Sequence, residues 1–236
     1  MPRSLAWLAV LAFALIVTAR PALALDHPPS STGPAQWAGA IAAFEAIDRV
    51  QPPPRDAVLF IGSSSIEHWK TLAADFPGVA VINRGFGGSE IPDATYYAAR
   101  IVAPYHPRAI VMYAGDNDLY DGHAPTQVRD DFAAFVAKAR QFDPGVPIAY
   151  VSIKPSVARA NLLPQIRRAN ALIKAWAATQ PAVSYLDVYT PMLGTDGKPS
   201  MRWFGPDGLH MNRRGYALWI GIIRPWIDAL PARPAG

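Results

Sequence analysis

Five short apolar runs punctuate the chain at AVLFI (57–61), VAVIN (79–83), AIVMYA (109–114), PIAYVSI (147–153) and VSYLDVY (183–189). Between and around them apolar residues recur at helical spacing. Val128, Phe132, Phe135 and Ala139 form one stripe, Leu162, Ile166, Ile173 and Trp176 another, and Tyr216, Trp219, Ile223, Trp226 and Ile227 the last. A further helix, built on Trp37, Ile41, Phe44 and Ile47 or Asp48, precedes the first run and stops at the prolines of PPPR. Strands that are apolar on both faces and separated by helices need cover on both sides, because a parallel sheet leaves neither face to water. The pattern therefore predicts a three-layer α/β/α sandwich on about five parallel strands. Pro125 and Pro164 fall in first helical turns, where a missing N–H costs little, while Pro225 is predicted to kink the final helix.

At 236 residues, 51% of them apolar, the chain can bury one sizeable core. The expected organisation is a signal segment at 1–24, a Pro/Ser linker at 25–34 and one domain over 35–236. The signal reading rests on the positive start MPRS, the apolar run LAWLAVLAFALIV, and Ala22 and Ala24 at the positions a signal peptidase favours. The apolar run is short for a membrane span, so export to the periplasm or the extracellular space is expected, with no stable membrane insertion after cleavage. The chain has no cysteine, which excludes disulfides, thiolate metal sites and a cysteine nucleophile. Of the formal charge of +4, Arg3 and Arg20 belong to the signal segment, so the remainder is near +2 and does not suggest a nucleic-acid partner. Oligomeric state is not readable.

Ligands of open parallel sheets bind beyond the carboxyl ends of the strands, so the residues that follow each run matter most. These are Gly62-Ser63-Ser64-Ser65, then Arg84-Gly85-Phe86-Gly87-Gly88-Ser89, then Gly115-Asp116-Asn117-Asp118, then Lys154-Pro155-Ser156. A hydroxyl nucleophile needs a base, a group to orient that base, and donors for the oxyanion. Ser63, Ser64 and Ser65 all qualify by residue type at a strand-to-helix turn, where the following helix's N-terminal amides favour negative charge; a plain polar turn is the competing reading. The glycines of GFGG can bring backbone N–H groups close to a ligand, and their GxGG spacing is not that of a dinucleotide fingerprint. Asn117 offers a side-chain amide to the same oxyanion. Asp207 and His210, three apart in WFGPDGLHMNRRGY, are placed for a carboxylate to hold an imidazole. His27 lies in the linker, and His68, His106 and His123 are assigned to surface turns. No HExxH or comparable cluster is present, so no metal or other cofactor is expected.

The ordered set IGSSSIEHW, NRGFGGSE, YAGDNDL and PDGLH resembles the sequence blocks of the SGNH hydrolase superfamily, the GDSL-type esterases and lipases, over residues 57 to about 227. The resemblance implies a flavodoxin-like fold of about five parallel strands. It also implies roles: Ser64 as nucleophile, its own N–H with Gly88 and Asn117 as oxyanion donors, and Asp207 and His210 as orienter and base. One departure stands out, since Ser63 occupies the place where relatives carry aspartate.

These roles imply a serine hydrolase acting on carboxylic esters, with short acyl or acetyl esters on a small molecule or a glycan as substrate. Arg84, Asp116, Asp118 and Lys154, with Tyr120, are the candidate substrate-binding residues around the pocket. Two other readings use the same residues: an acyltransferase or glycan binder on the same fold, and a flavodoxin-like protein whose serines hold a flavin phosphate.

Overall fold

The computed structural model describes residues 33–231. The predicted signal segment and nearly all of the predicted linker lie outside the described residues. Five parallel strands, β1 (Val58–Gly62), β2 (Val81–Gly85), β3 (Ala109–Tyr113), β4 (Ile148–Val151) and β5 (Val183–Leu186), form one sheet in the order β2-β1-β3-β4-β5. All residues of β1, β3 and β4 are buried, which is why these runs are apolar without alternation. The second strand starts two residues later than its apolar run suggests and takes in Arg84 and Gly85. The fourth and fifth stop early because their last residues turn into loops, where Ser152 Oγ accepts the N–H groups of Val188 and Tyr189, each at 2.9 Å.

The helices are α1 (Ala38–Val50), α2 (Ser64–Glu67), α3 (Leu72–Asp75), α4 (Ile91–Ile101), α5 (Asp116–Tyr120), α6 (Pro125–Ala139), α7 (Leu163–Ala177), α8 (Tyr189–Met192) and α9 (Arg213–Asp228). Alternate residues of β1 divide the core between the two faces of the sheet. Leu59 and Ile61 pack with Ile41 of α1, Ile91 of α4, Phe132 of α6 and Ile166 of α7. Val58 and Phe60 pack with Ile66, Leu72, Met192 and the Tyr216, Trp219, Ile223 and Ile227 stripe of α9. The result is the predicted three-layer α/β/α sandwich. Among the described residues, no helix is long and apolar enough to cross a membrane.

Pro125 and Pro164 stand in the first turns of α6 and α7, as expected. Pro225 does not end its helix, since α9 continues to Asp228. The ring removes one bond to the carbonyl of Gly221, and Gly221 is exposed, so water can take the place of the missing donor.

The strand order reverses between β1 and β3, because β2 lies on one side of β1 and β3 on the other. Such a switch point leaves a crevice beyond the strand ends. There Ser63 N–H donates to the Tyr113 carbonyl (3.0 Å), tying the end of β1 to the end of β3. Gly62 makes this approach feasible, with φ of 139° and a position at which a Cβ would lie 1.8 Å from that carbonyl oxygen. Gly62→Ala is expected to cost about 3 kcal/mol or more, from backbone strain and overpacking together. Urea denaturation of the two proteins would measure it, and an unchanged midpoint would show that the two strand ends can part.

Candidate active site

The three consecutive serines leave β1 at the switch point, and burial separates them. Ser63 and Ser65 are each only 1% exposed, whereas Ser64 is partly open to solvent at the first residue of α2. Only Ser64 thus presents its hydroxyl to the crevice. The helix behind it, α2, is a single turn of four residues. Its dipole is correspondingly small, so negative charge at this turn depends on discrete N–H donors and not on a long helix.

The partner groups arrive from the far end of the chain. A tight loop before α9 is closed by Gly205 N–H donating to the His210 carbonyl (2.8 Å) and by Gly208 N–H donating to the Gly205 carbonyl (3.0 Å). Asn212 then caps α9, its Oδ1 accepting from Arg214 N and Gly215 N. Within the loop His210 Nδ1 is 2.6 Å from Asp207 Oδ2, and His210 Nε2 is 3.1 Å from Ser64 Oγ. The imidazole therefore bridges hydroxyl and carboxylate, 146 residues apart in sequence at the serine end. Asp207 Oδ1 also accepts from Leu209 N (2.9 Å) and His210 N (3.0 Å). The Leu209 N–H and the imidazole lower the Asp207 pKa to about 2 from the ordinary 3.8, so this carboxylate stays ionised beside the ring. Tyr216 Oη donates to the Ser65 carbonyl (3.1 Å), which binds α9 to the serine turn. The His68 ring packs 4.7 Å from the His210 ring and covers one side of it.

The glycine loop after β2 lies against the same turn. A Cβ at Gly87 would be 3.7 Å from Ser64 Cβ and 2.4 Å from Glu67 Oε2, so the backbone here passes close to the hydroxyl. Gly88 has φ of 82°, a left-handed conformation. Asn117, in α5, reaches this loop by donating from Nδ2 to the Ser89 carbonyl (3.0 Å), one of the two N–H groups its amide carries.

Arg159 fixes which way the Asn117 amide points, because its guanidinium donates to Asn117 Oδ1 at 2.9 Å. The same guanidinium lies 3.3 Å from Asp116 Oδ2 and stacks over the Tyr120 ring at 4.6 Å. Lys154 Nζ donates to Asp116 Oδ2 (2.7 Å) and to Tyr113 Oη (2.8 Å). Burial opposes charge on Asp116, but Lys154 and Arg159 outweigh it and hold the carboxyl below its usual range. Burial likewise lowers the Lys154 pKa, against the pull of Asp116.

This network corrects the expectation that Arg84, Asp116, Asp118 and Lys154 stand around a pocket ready for substrate. All four are buried. Asp116 and Lys154 are spent on each other behind Asn117. Arg84 faces α1, bonded to Asp48 and to Tyr105 Oη and stacked between the Phe44 and Tyr105 rings. Asp118 Oδ1 accepts from Ile91 N (3.0 Å) at the start of α4; burial pushes its pKa up to about 7. Burial and the charge of Asp118 push neighbouring Glu90 up to about 8. His123 is not a surface-turn residue either, since its side chain is only 13% exposed. Arg159 went unnoticed in the sequence. It sits in a loop after β4 with no motif around it, and its only signal was a basic residue following a strand end.

Serine, histidine and aspartate thus stand in one line of contact at the carboxyl edge of an α/β/α sandwich. The chain belongs to the GDSL-like Lipase/Acylhydrolase family, whose sequence profile matches residues 55–218, and it is therefore an ester hydrolase. Over 206 residues it is 26% identical to the platelet-activating factor acetylhydrolase IB subunit alpha1 of Bos taurus, covering 81% of this chain and 85% of that protein. Its fold is similar to that of a GDSL-like lipase from Bacteroides thetaiotaomicron (TM-score 0.70, 20% identity, 80% of this chain and 97% of the other). It is also similar to a carbohydrate esterase family 3 protein from Talaromyces cellulolyticus (TM-score 0.54, 18% identity, 74% and 97%).

Because the Asp207 pKa is lowered on folding, its contribution to stability is complete above about pH 3.8 and is lost as the pH falls toward 2. The group is exposed, so the effect is modest and weakens with salt. Denaturation midpoints of wild type and Asp207→Asn are expected to differ at about pH 5 and to converge near pH 2. Parallel curves through that range would contradict the placement of this carboxylate.

Proposed function

We propose that this esterase cleaves short acyl or acetyl esters, including esters carried on sugars, through an acyl-enzyme on Ser64. The observation that carries the reading is the continuous contact from Ser64 Oγ through the His210 ring to Asp207. In the first step His210 Nε2 takes the Ser64 proton as Oγ bonds to the ester carbonyl carbon, and the carbonyl electrons move onto oxygen. Asp207 holds the imidazolium formed. The donors assigned to the oxyanion in this reading are the N–H groups of Ser64 and Gly88 and the side-chain amide of Asn117. Collapse expels the alcohol, which takes the proton from His210. Water then adds by the same route, and release of the carboxylic acid restores Ser64.

Two things support a short acyl group on a polar alcohol. Glu67 and His68 lie directly beside Ser64, giving the crevice polar walls. The similar proteins include one named an acetylhydrolase and one named a carbohydrate esterase.

Nitrophenyl esters of increasing chain length, assayed beside acetylated sugars in water with no added acceptor, test both substrate and reaction. Acetate release from the shortest esters is expected, and preference for long chains or a strict need for an acceptor alcohol would overturn the reading. Ser64→Ala is expected to abolish turnover, and Asn117→Ala to lower kcat roughly a hundredfold to a thousandfold. Arg159→Met, which frees the Asn117 amide to rotate, is expected to lower kcat about tenfold with KM nearly unchanged, since the donor it orients matters most in the transition state. A KM effect alone would make Arg159 a substrate contact instead of a positioning residue.

A further inference from the structure

Directly behind the crevice, the segments that carry Gly88 and Asn117 each continue into a buried carboxylate. Glu90 is 2% exposed and Asp118 is 0% exposed. Asp118 Oδ2 is buried without a hydrogen-bond partner, while the Glu90 carboxylate accepts the Asp93 backbone N–H in a capping box at the start of α4. Among the described residues no lysine or arginine comes within ion-pair distance of either group. Two facing carboxylates without a lysine or arginine are costly to bury in charged form, and either protons or a bound cation must offset them. His123 is turned toward them, its Nε2 lying 3.8 Å from Glu90 Oε2. One ligand atom from each of Glu90, Asp118 and His123 lies within 4.8 Å of the others.

We infer that Glu90, Asp118 and His123 form a binding site for a divalent first-row transition cation of the zinc class. Ligands at 2.0–2.2 Å around a tetrahedral ion stand roughly 3.4 Å apart, so each donor need shift only by about 1 Å or less to close on it. Two carboxylate oxygens with one imidazole nitrogen suit zinc or manganese, whereas magnesium and calcium favour sites made of oxygen alone. The surroundings of His123 fit a ligand. Its other ring nitrogen, Nδ1, faces Asp131 Oδ2 at 4.0 Å, and its backbone N–H donates to the Asp118 carbonyl at 2.9 Å. A carboxylate behind a histidine is the usual means of orienting the ring toward a metal. Three protein ligands leave a further position for water. Once bound, the cation ties the start of α4 to α5, and so braces the backbone on which Gly88 and Asn117 stand.

Isothermal titration of Zn2+ into the purified, chelator-treated protein tests the site independently of ester hydrolysis. One equivalent is expected to bind, with a rise in Tm, while Mg2+ at the same concentration binds no tighter than background. His123→Ala is expected to abolish this binding and Asp131→Asn to weaken it tenfold to a hundredfold. His68→Ala controls for zinc held by the His68 and His210 rings and is expected to retain the equivalent. Asp118→Asn gives a second reading, since relief of charge should raise the Tm of the metal-free protein while removing the zinc-dependent rise. No stoichiometric binding, binding that survives His123→Ala, or binding that disappears with His68→Ala would each overturn the inference.

Discussion

The contact between the ends of β1 and β3, where Ser63 N–H meets the Tyr113 carbonyl over the bare Cα of Gly62, sets the geometry of everything at this edge of the sheet. Parallel strands can be drawn together at their carboxyl ends only if no side chain intervenes. With that approach made, the turn that carries Ser64 leaves β1 next to the end of β3, and Asn117 follows four residues after Tyr113. Two turns whose key residues lie 53 positions apart thus leave the sheet from paired strand ends. The glycine loop after β2 closes on them from the other side, since β2 pairs with β1 in register from Val58↔Val81 to Gly62↔Gly85.

The same edge concentrates charge, and burial determines how each charge is handled. Asp116 is ringed by Lys154 and Arg159, so its carboxyl remains ionised and the amide of Asn117 is held in one orientation. Asp207 is exposed yet bonded to two backbone N–H groups and an imidazole, which keeps it charged without burial. Glu90 and Asp118 have neither form of compensation from lysine or arginine. The contrast within one small region distinguishes carboxylates that support the proposed reaction from a pair that calls for a cation.

Much of the architecture was legible because parallel sheets impose a simple pattern. Buried strands must be apolar throughout, and the helices that cover them must carry one apolar stripe; Val128, Phe132, Phe135 and Ala139 lie buried as their spacing implies. Asp207 and His210 were legible for a local reason, since three residues in a glycine-shaped loop bring carboxylate and ring together. The substrate-facing assignments of Arg84, Asp116, Asp118 and Lys154 were not recoverable in this way. A charged residue after a strand reads the same whether it opens to solvent or turns inward to a partner such as Asp48, 36 residues earlier.

The sequence by itself determined the class of fold and the order of the chemical groups along it, because periodicity and strand-end position are local properties. Which of three adjacent serines is exposed, that Arg159 holds the Asn117 amide, and that Glu90, Asp118 and His123 meet were decided only by tertiary structure. Each depends on burial and on contacts between segments distant in the chain, and neither has a local signature in residue type or spacing.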